Sequence, residues 1–314
     1  MNIGKFLPVR VGTHVLLNKL SINIFFMKIK WLLLIITICL TTNSFAQIDI
    51  FFIKKDFYLA EITFTNNEIK RLLLKDFLEA STFEFSGFGV GLRNLEANRA
   101  GRSYLIVKES KDAKPYKIPT NTIKTLTIFD INTEPVVFDM IKVKTITNNL
   151  ETVYKDRDIL VPLVRDGTVK MYVLTVLFHD PNSGKKPLYT GISVTPLVYL
   201  KHKDQEYAYM PQDITVGSLF SFWTLDDKFI KAFSLPTKDC EVFQTYLKEQ
   251  SVILESSENR KKTRQDLKEH NKFKKAEAKK LDKSKRKRFV WDLDTKYALK
   301  RYYEFLEEYE NQCQ

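Results

Sequence analysis

The residues of this sequence best suited to chemistry are three histidines, His179, His202 and His270, and two cysteines, Cys240 and Cys313. Nucleophilic catalysis needs a serine or cysteine within hydrogen-bond reach of a histidine base, with a third group that orients the base. The three histidines are far apart in the sequence, and no Gly-x-Ser-x-Gly motif occurs. We therefore expect no catalytic residue among them.

A possible calcium loop begins at Asp180, because Asp180, Asn182 and Gly184 alternate as they do in such loops. An EF-hand loop places a bidentate carboxylate at its twelfth position, and that position here is Gly191. A plain turn is the simpler interpretation of this composition. The glycines of residues 87–91 lack the spacing of a phosphate-binding loop and predict a flexible loop or a bulge. The sequence thus predicts no metal site and no cofactor.

Cys240 and Cys313 are the cysteines that remain if the apolar N-terminal run containing Cys39 is removed. In an oxidising compartment such a pair is a disulfide candidate, and two separate buried thiols are the alternative. Both cysteines lie in the part of the chain that we predict to be helical. This shared location favours the disulfide.

Residues 27–46 have the pattern of a secretory signal peptide. Lys28 and Lys30 supply the positive charge, residues 31–40 form an uninterrupted apolar run, and Ala46 ends a polar stretch that contains small residues. A transmembrane anchor is the alternative, but a helix that crosses a membrane needs about 20 apolar residues. We therefore predict export rather than anchoring.

Cleavage after Ala46 would leave a mature chain that begins at Gln47 and has no transmembrane segment. Residues 1–26 are then an upstream over-extension of the reading frame. The expected location is the periplasm, the outer membrane surface or the medium.

The positive charge of this chain is concentrated in one segment. Removing residues 1–46, which hold five basic and no acidic groups, takes the net charge from +12 to +7. Residues 260–288 alone hold 15 basic and 4 acidic groups, so the remaining mature chain carries about −4. Nucleic-acid binding is not expected, because Phe273 and Phe289 are the only aromatic residues beside this charge. We expect an anionic envelope partner, and the candidate contacts are Lys279, Lys280, Lys283, Lys285, Arg286, Lys287 and Arg288.

Between residues 57 and 210, apolar and polar residues alternate with the period of β-strands. Turn residues at 65–68 and an Asp-Gly pair within 165–167 predict hairpins. Residues 83–98 predict a loop. The pattern predicts an antiparallel, meander-like β domain over residues 50–211, either a sandwich or a partly closed barrel. The predicted strands cover residues 57–64, 69–74, 104–107, 116–118, 123–129, 136–144, 159–164, 168–178, 188–200 and 206–210.

After Pro211 the apolar spacing becomes helical, so the predicted class is α+β, with a helical C-terminal region over residues 212–314. Pro236 predicts a nearby helix start, and Asp292 or Asp294 is a suitable N-cap for the final helix. The basic segment, residues 259–288, has almost no apolar side chains. A helix there cannot bury a face, so we expect it to be long and largely exposed.

Several segments together resemble a family of uncharacterised exported proteins of Bacteroidota, in which a β-rich domain precedes a short helical tail. The resemblance covers about residues 50–255 and implies an envelope location without an activity. This chain departs from the family in the first hairpin turn, at residues 66–68, and in its added basic segment. The segments that carry the resemblance are residues 57–74, 116–124, 159–167, 207–209 and 239–240.

These observations favour a non-enzymatic envelope protein that acts as a binding or assembly module. The alternative is an envelope hydrolase whose catalytic carboxylates cannot be identified among 38 acidic residues. A hydrolase would show a concave pocket with paired carboxylates in unlike environments. A binding module would show an exposed apolar or charged patch.

Overall fold

The structure is a computed structural model, and it describes residues 57–75, 82–84, 104–129, 135–179, 192–211 and 225–313. The predicted signal peptide, the possible calcium loop and the glycines of residues 87–91 lie outside these ranges. The chain divides into two units, Met1–Phe45 and Ala46–Gln314, and all described residues belong to the second. This unit has a β-rich antiparallel domain followed by helices, which confirms the predicted α+β class.

The described residues form eleven strands, most of which follow the predicted runs, although β8 begins at Thr152, seven residues before the run predicted at 159–164. One short strand, at Thr82–Glu84, was not predicted, so the loop predicted from residue 83 is wrong at its start. The strands are β1 Phe57–Phe64, β2 Ile69–Lys75, β3 Thr82–Glu84, β4 Tyr104–Lys108, β5 Tyr116–Pro119, β6 Ile123–Ile128, β7 Val136–Ile146, β8 Thr152–Arg165, β9 Val169–His179, β10 Ile192–His202 and β11 Tyr207–Met210.

The hairpin of β1 and β2 shows how the alternation produces a strand with one buried face. Ala60 and Ile62 are fully buried, because side chains two residues apart on a strand lie on the same face. The turn places Asn67 at a φ of 64°, a left-handed conformation that asparagine tolerates. Thr63 then pairs with Ile69, which sets the register of the hairpin.

Strands β7 to β11 form a partly closed, five-stranded barrel. They are consecutive antiparallel neighbours. The ring closes because β11 also pairs in parallel with β7, from Tyr207 beside Lys142 to Met210 beside Thr145. Apolar side chains fill the interior, so the barrel encloses a packed core. This barrel core contains Ile141, Val143, Ile159, Val161, Tyr172, Leu174, Leu197, Tyr199, Ala208 and Met210.

The other half of the sheet continues from β7 in the order β6, β1, β2, β4, β5 and encloses a second apolar core. Strands β7 and β8 contribute to both cores. Phe138 and Leu160 face the second core, whereas Ile141 and Val161 face the barrel core. Adjacent residues of a strand point to opposite faces, so this pair of strands is buried on both sides. We call it the β7–β8 wall.

Four helices follow the sheet in the described residues: α1 Leu225–Ser234, α2 Glu241–Glu255, α3 Ser257–Lys280 and α4 Lys283–Cys313. The helix start predicted near Pro236 is wrong, because α1 has just ended there. Proline lacks the N–H that continues a helix, and Thr237 Oγ1 donates a hydrogen bond to the carbonyl of Phe233 at 2.7 Å. The next helix begins only at Glu241, with Cys240 as its N-cap.

Aromatic side chains pack α1, α2 and α4 together. Phe229 of α1 lies 4.9 Å from Phe305 of α4, measured between ring centroids. Phe243 of α2 lies 5.3 Å from Tyr309 of α4 in an edge-to-face arrangement. Such pairs add roughly 0.5–1.5 kcal/mol beyond the burial of their surface. The C-terminal half of α4 is thus the centre of the helical region.

Polar contacts join the helices to the barrel at Glu310 and at Lys228. Arg165 Nη2 lies 2.6 Å from Glu310 Oε2 of α4. At Gly167 a Cβ atom would lie 2.9 Å from Glu310 Oε1, so a side chain at this position would crowd the Glu310 carboxylate. Lys228 Nζ of α1 donates a hydrogen bond to Asn148 Oδ1 at 2.7 Å, in the turn between β7 and β8.

Candidate functional site

The long, largely exposed basic helix predicted within residues 259–288 is present as α3, but the basic segment breaks at residues 281–282 and continues into α4. α3 ends at Lys280 and α4 begins at Lys283. The carbonyl of Asp282 accepts hydrogen bonds from the amides three and four residues later, and aspartate is a preferred residue at a helix start. We call α3 together with residues 283–297 of α4 the basic hairpin.

Arg286 holds the turn of the basic hairpin. Its Nε donates to the carbonyl of Leu281 at 2.8 Å, and its Nη2 donates to the carbonyl of Lys279 at 3.2 Å. The last carbonyls of a helix have no partner within the helix and attract positive charge. Arg286, which the sequence suggested as a contact for an anionic partner, is therefore used inside the protein.

The two helices of the basic hairpin are joined through Asp294. Its Oδ1 accepts a hydrogen bond from Lys274 Nζ at 2.5 Å and lies 3.0 Å from His270 Nε2. The ring of His270 stacks on Tyr297, with centroids 4.2 Å apart. The prediction that Asp292 or Asp294 caps the final helix is wrong, because α4 begins well before both residues.

The seven predicted contact residues have different roles in the structure. Arg286 is half-buried and bonded to two carbonyls of the chain, and Lys280 pairs with Glu277 at 2.6 Å on the surface. Lys287 lies in the first turns of α4. The remaining four are exposed at the turn of the hairpin, and they are Lys279, Lys283, Lys285 and Arg288.

A line of basic side chains along α3 was not predicted from the sequence. Its signal is a spacing of three or four residues, which places side chains on one face of a helix. All of them are exposed. On α3, Lys274 and Lys280 pair with carboxylates, whereas within the described part of the chain none of this line does. We call these residues the α3 stripe: Lys261, Arg264, Lys268, Lys272, Lys275 and Lys279.

The α3 stripe is a concentrated positive charge. Lys261 and Lys279 are 18 residues apart, which corresponds to about 27 Å of helix. Like charges three or four residues apart repel each other, and a bound anion would remove that repulsion. Attraction by exposed charges is screened over about 8 Å at physiological salt. The stripe can therefore hold an extended anion by contact, with an affinity that falls as salt rises.

A second polar cluster lies at one end of the barrel, where Asp139 precedes the barrel-core residues of β7. Asp139 Oδ2 accepts a hydrogen bond from Tyr172 at 2.9 Å, and Lys170 Nζ lies 3.8 Å from the same oxygen. Thr125 Oγ1 lies 3.3 Å from Asp139 Oδ1. Lys201 of β10 is directly opposite Lys170 of β9. A second carboxylate, Asp166, lies 3.3 Å from the same Lys170.

The environment of this cluster changes its acid–base properties. Burial raises the pKa of Tyr172, and the charge of Asp139 raises it further, so the phenol remains a hydrogen-bond donor. Burial lowers the pKa of Lys201; Asp139 opposes that shift and the charge of Lys170 adds to it. The two carboxylates of the cluster differ in environment, because the side chain of Asp139 is 20% exposed and that of Asp166 is 71% exposed.

The histidines do not come together in the structure. On the paired strands β9 and β10, His179 is opposite Ile192 and His202 is opposite Val169, so these two histidines are at opposite ends of the pair. His270 lies on α3. In the described ranges, no three His, Cys, Asp or Glu side chains are grouped closely enough to bind a metal ion.

Cys240 and Cys313 are bonded to each other, with Cα atoms 6.1 Å apart. The bond joins the N-cap of α2 to the last residue of α4. It therefore closes the helical region at the end that packs against the barrel.

Comparison with known proteins finds no protein family, no curated protein and no solved structure that matches this chain. Among the helices described, none combines the length and the apolar composition needed to cross a membrane. The class of protein is therefore defined by the fold alone: a barrel-containing β domain that carries a disulfide-closed helical region and a basic hairpin.

Proposed function

We propose that this chain is a non-enzymatic cell-envelope protein that acts as a binding or assembly module, and that its basic hairpin binds an anionic envelope partner. The observation that carries the proposal is the α3 stripe, in which six exposed basic side chains share one helix face. A helix that serves only solubility would carry mixed charges around its surface. The contacts of Asp294 and Arg286 hold the hairpin in shape, so the stripe is presented on an ordered support.

Export places the hairpin where such a partner is available. We expect the protein isolated from the envelope or the medium to begin at Gln47, because signal peptidase cleaves after small residues such as Ala46. N-terminal mass spectrometry of the native protein checks this. Recovery of cytoplasmic protein that retains residues 27–46 would contradict it.

Binding is tested by sedimenting the purified protein with phosphatidylglycerol vesicles and with isolated cell-wall polysaccharide over a series of salt concentrations. Substitution of four hairpin lysines by glutamine is expected to weaken binding at least tenfold, since each exposed ion pair contributes roughly 0.2–1 kcal/mol. Binding by the unaltered protein should fall steeply as salt rises. The substituted residues are Lys268, Lys272, Lys279 and Lys283.

The matched control removes the same charge from exposed lysines elsewhere. Because screening limits their reach to about 8 Å at physiological salt, these substitutions should weaken binding no more than about threefold. Equal loss in both variants, or binding that is indifferent to salt, would refute the proposal. The control residues are Lys111, Lys114, Lys203 and Lys248.

A further inference from the structure

We propose that the α3 stripe binds a linear acidic polysaccharide that lies along the axis of α3. This inference rests on the proposed function, because it names the chemical class of the anionic partner and the part of the hairpin that holds it. The partner is a single chain of sugars that carries carboxylates or sulfates at regular intervals.

The spacing of the stripe suits such a chain. Successive members are three or four residues apart, so their backbone positions advance by about 4.5 or 6 Å along the helix. A polysaccharide chain advances by a similar length with each sugar, so its acidic groups can meet successive basic side chains. The whole stripe, of about 27 Å, would then accommodate about six sugars.

The flank of the stripe argues against a flat anionic surface. Glu258 and Glu269 are both exposed, and their separation of eleven residues places them on one line of α3, beside the stripe. A broad anionic plane pressed against α3 would bring negative charge onto these carboxylates as well. A single chain confined to the stripe would keep its charges farther from these carboxylates, and the remaining repulsion would be partly screened.

The exposed apolar residues of α3 give no support for a lipid surface either. Leu267 and Phe273 are 46% and 54% exposed, and their separation of six residues puts them on different faces of the helix. A helix that enters a membrane surface needs one apolar face. Bases of a nucleic acid would need stacking aromatics on the stripe, and Phe273 is not part of it. A narrow, regularly charged chain is the partner that these features fit.

The probe for this proposal is a set of galacturonic acid oligomers of two to eight sugars, titrated into the purified protein by calorimetry. Affinity should rise at least tenfold between two and six sugars, as more basic residues are contacted, and then level off once the stripe is covered. Methyl-esterified oligomers, which lack the charge, should not bind.

Two variants that lose the same positive charge show whether the oligomer binds on the α3 stripe. The substitutions Lys261→Gln, Lys268→Gln and Lys272→Gln remove half of the α3 stripe and should weaken binding of the six-sugar oligomer roughly tenfold. The matched variant changes exposed lysines off the stripe and should weaken it no more than about threefold. Its substitutions are Lys111→Gln, Lys248→Gln and Lys262→Gln.

Three results would overturn the inference: affinity that does not depend on oligomer length, equal weakening in the two variants, or phosphatidylglycerol vesicles that bind as tightly as the six-sugar oligomer. Binding to vesicles alone would be consistent with the proposed function but would refute the proposal of a polysaccharide partner. Failure to bind any anionic envelope material would refute both the polysaccharide partner and the proposed function.

Discussion

Replacing Cys240 and Cys313 by serine is expected to lower the free energy of unfolding by about 4 kcal/mol, as measured by urea denaturation followed by circular dichroism. The two residues are 73 positions apart, so the disulfide removes much of the freedom of the unfolded chain between them. In the folded protein it holds the end of α4 on α2, where Phe243 meets Tyr309. Without it the last turns of α4 are held by side-chain packing and by the ion pair of Arg165 with Glu310.

The effect of a reductant on the free energy of unfolding provides the control for this prediction. Dithiothreitol should destabilise the unaltered protein by a similar amount and leave the double serine variant unchanged. Each single variant, Cys240→Ser or Cys313→Ser, should show the whole loss, because the bond needs both sulfurs. An unaltered protein whose unfolding midpoint does not move under reductant would contradict the prediction.

The substitution Asp139→Ala is expected to lower the free energy of unfolding by about 2 kcal/mol. It removes the acceptor of the Tyr172 hydrogen bond and leaves Lys170 directly opposite Lys201, an arrangement of like charges that destabilises a sheet. Removal of one partner from a fully buried ion pair costs about 3–5 kcal/mol. We expect less here because the side chain of Asp139 is 20% exposed.

Asp166 provides the matched control, because it pairs with the same Lys170 at 3.3 Å but is 71% exposed. Asp166→Ala should change the free energy of unfolding by less than about 0.5 kcal/mol. Replacing Lys170 by methionine in the Asp139→Ala background should recover part of the loss, since one of the two facing charges is then removed. Equal effects of Asp139→Ala and Asp166→Ala would disprove this account of the cluster.

The fold class could be predicted from the sequence because strands with one buried face alternate strictly. Ala60 and Ile62 of β1 are an example: Glu61 and Thr63 mark the other side of the sheet. The turns could also be predicted, since asparagine at residue 67 and the Asp-Gly pair after β8 favour turn conformations. Local chemistry was sufficient for these elements.

The sharing of β7 and β8 between two cores could not be predicted from the sequence. The apolar run Ile159-Leu160-Val161 lacks alternation, because Leu160 faces one core and its neighbours face the other. Such a run identifies a strand covered on both faces but does not say what covers it. The pairing of β11 with β7, which closes the barrel, is likewise a contact between distant segments.

The candidate site was predicted in part. Charge counting located the basic segment, but it treated all lysines and arginines alike and pointed to the turn of the hairpin. Arg286 turned out to hold the end of α3. Reading the same lysines by their helical spacing would have found the α3 stripe, whereas the contact of Lys274 with Asp294 depends on how two helices pack.

The β7–β8 wall also limits the positions at which recombination could divide this chain into parts that fold. A recombination between β6 and β7 would separate two parts that look like successive modules in the sequence. Each part would then carry an apolar face whose cover lies in the other, since Phe138 and Leu160 belong to the core formed mainly by the preceding strands. The heritable unit is therefore the whole β domain, and its halves are expected to be gained or lost together.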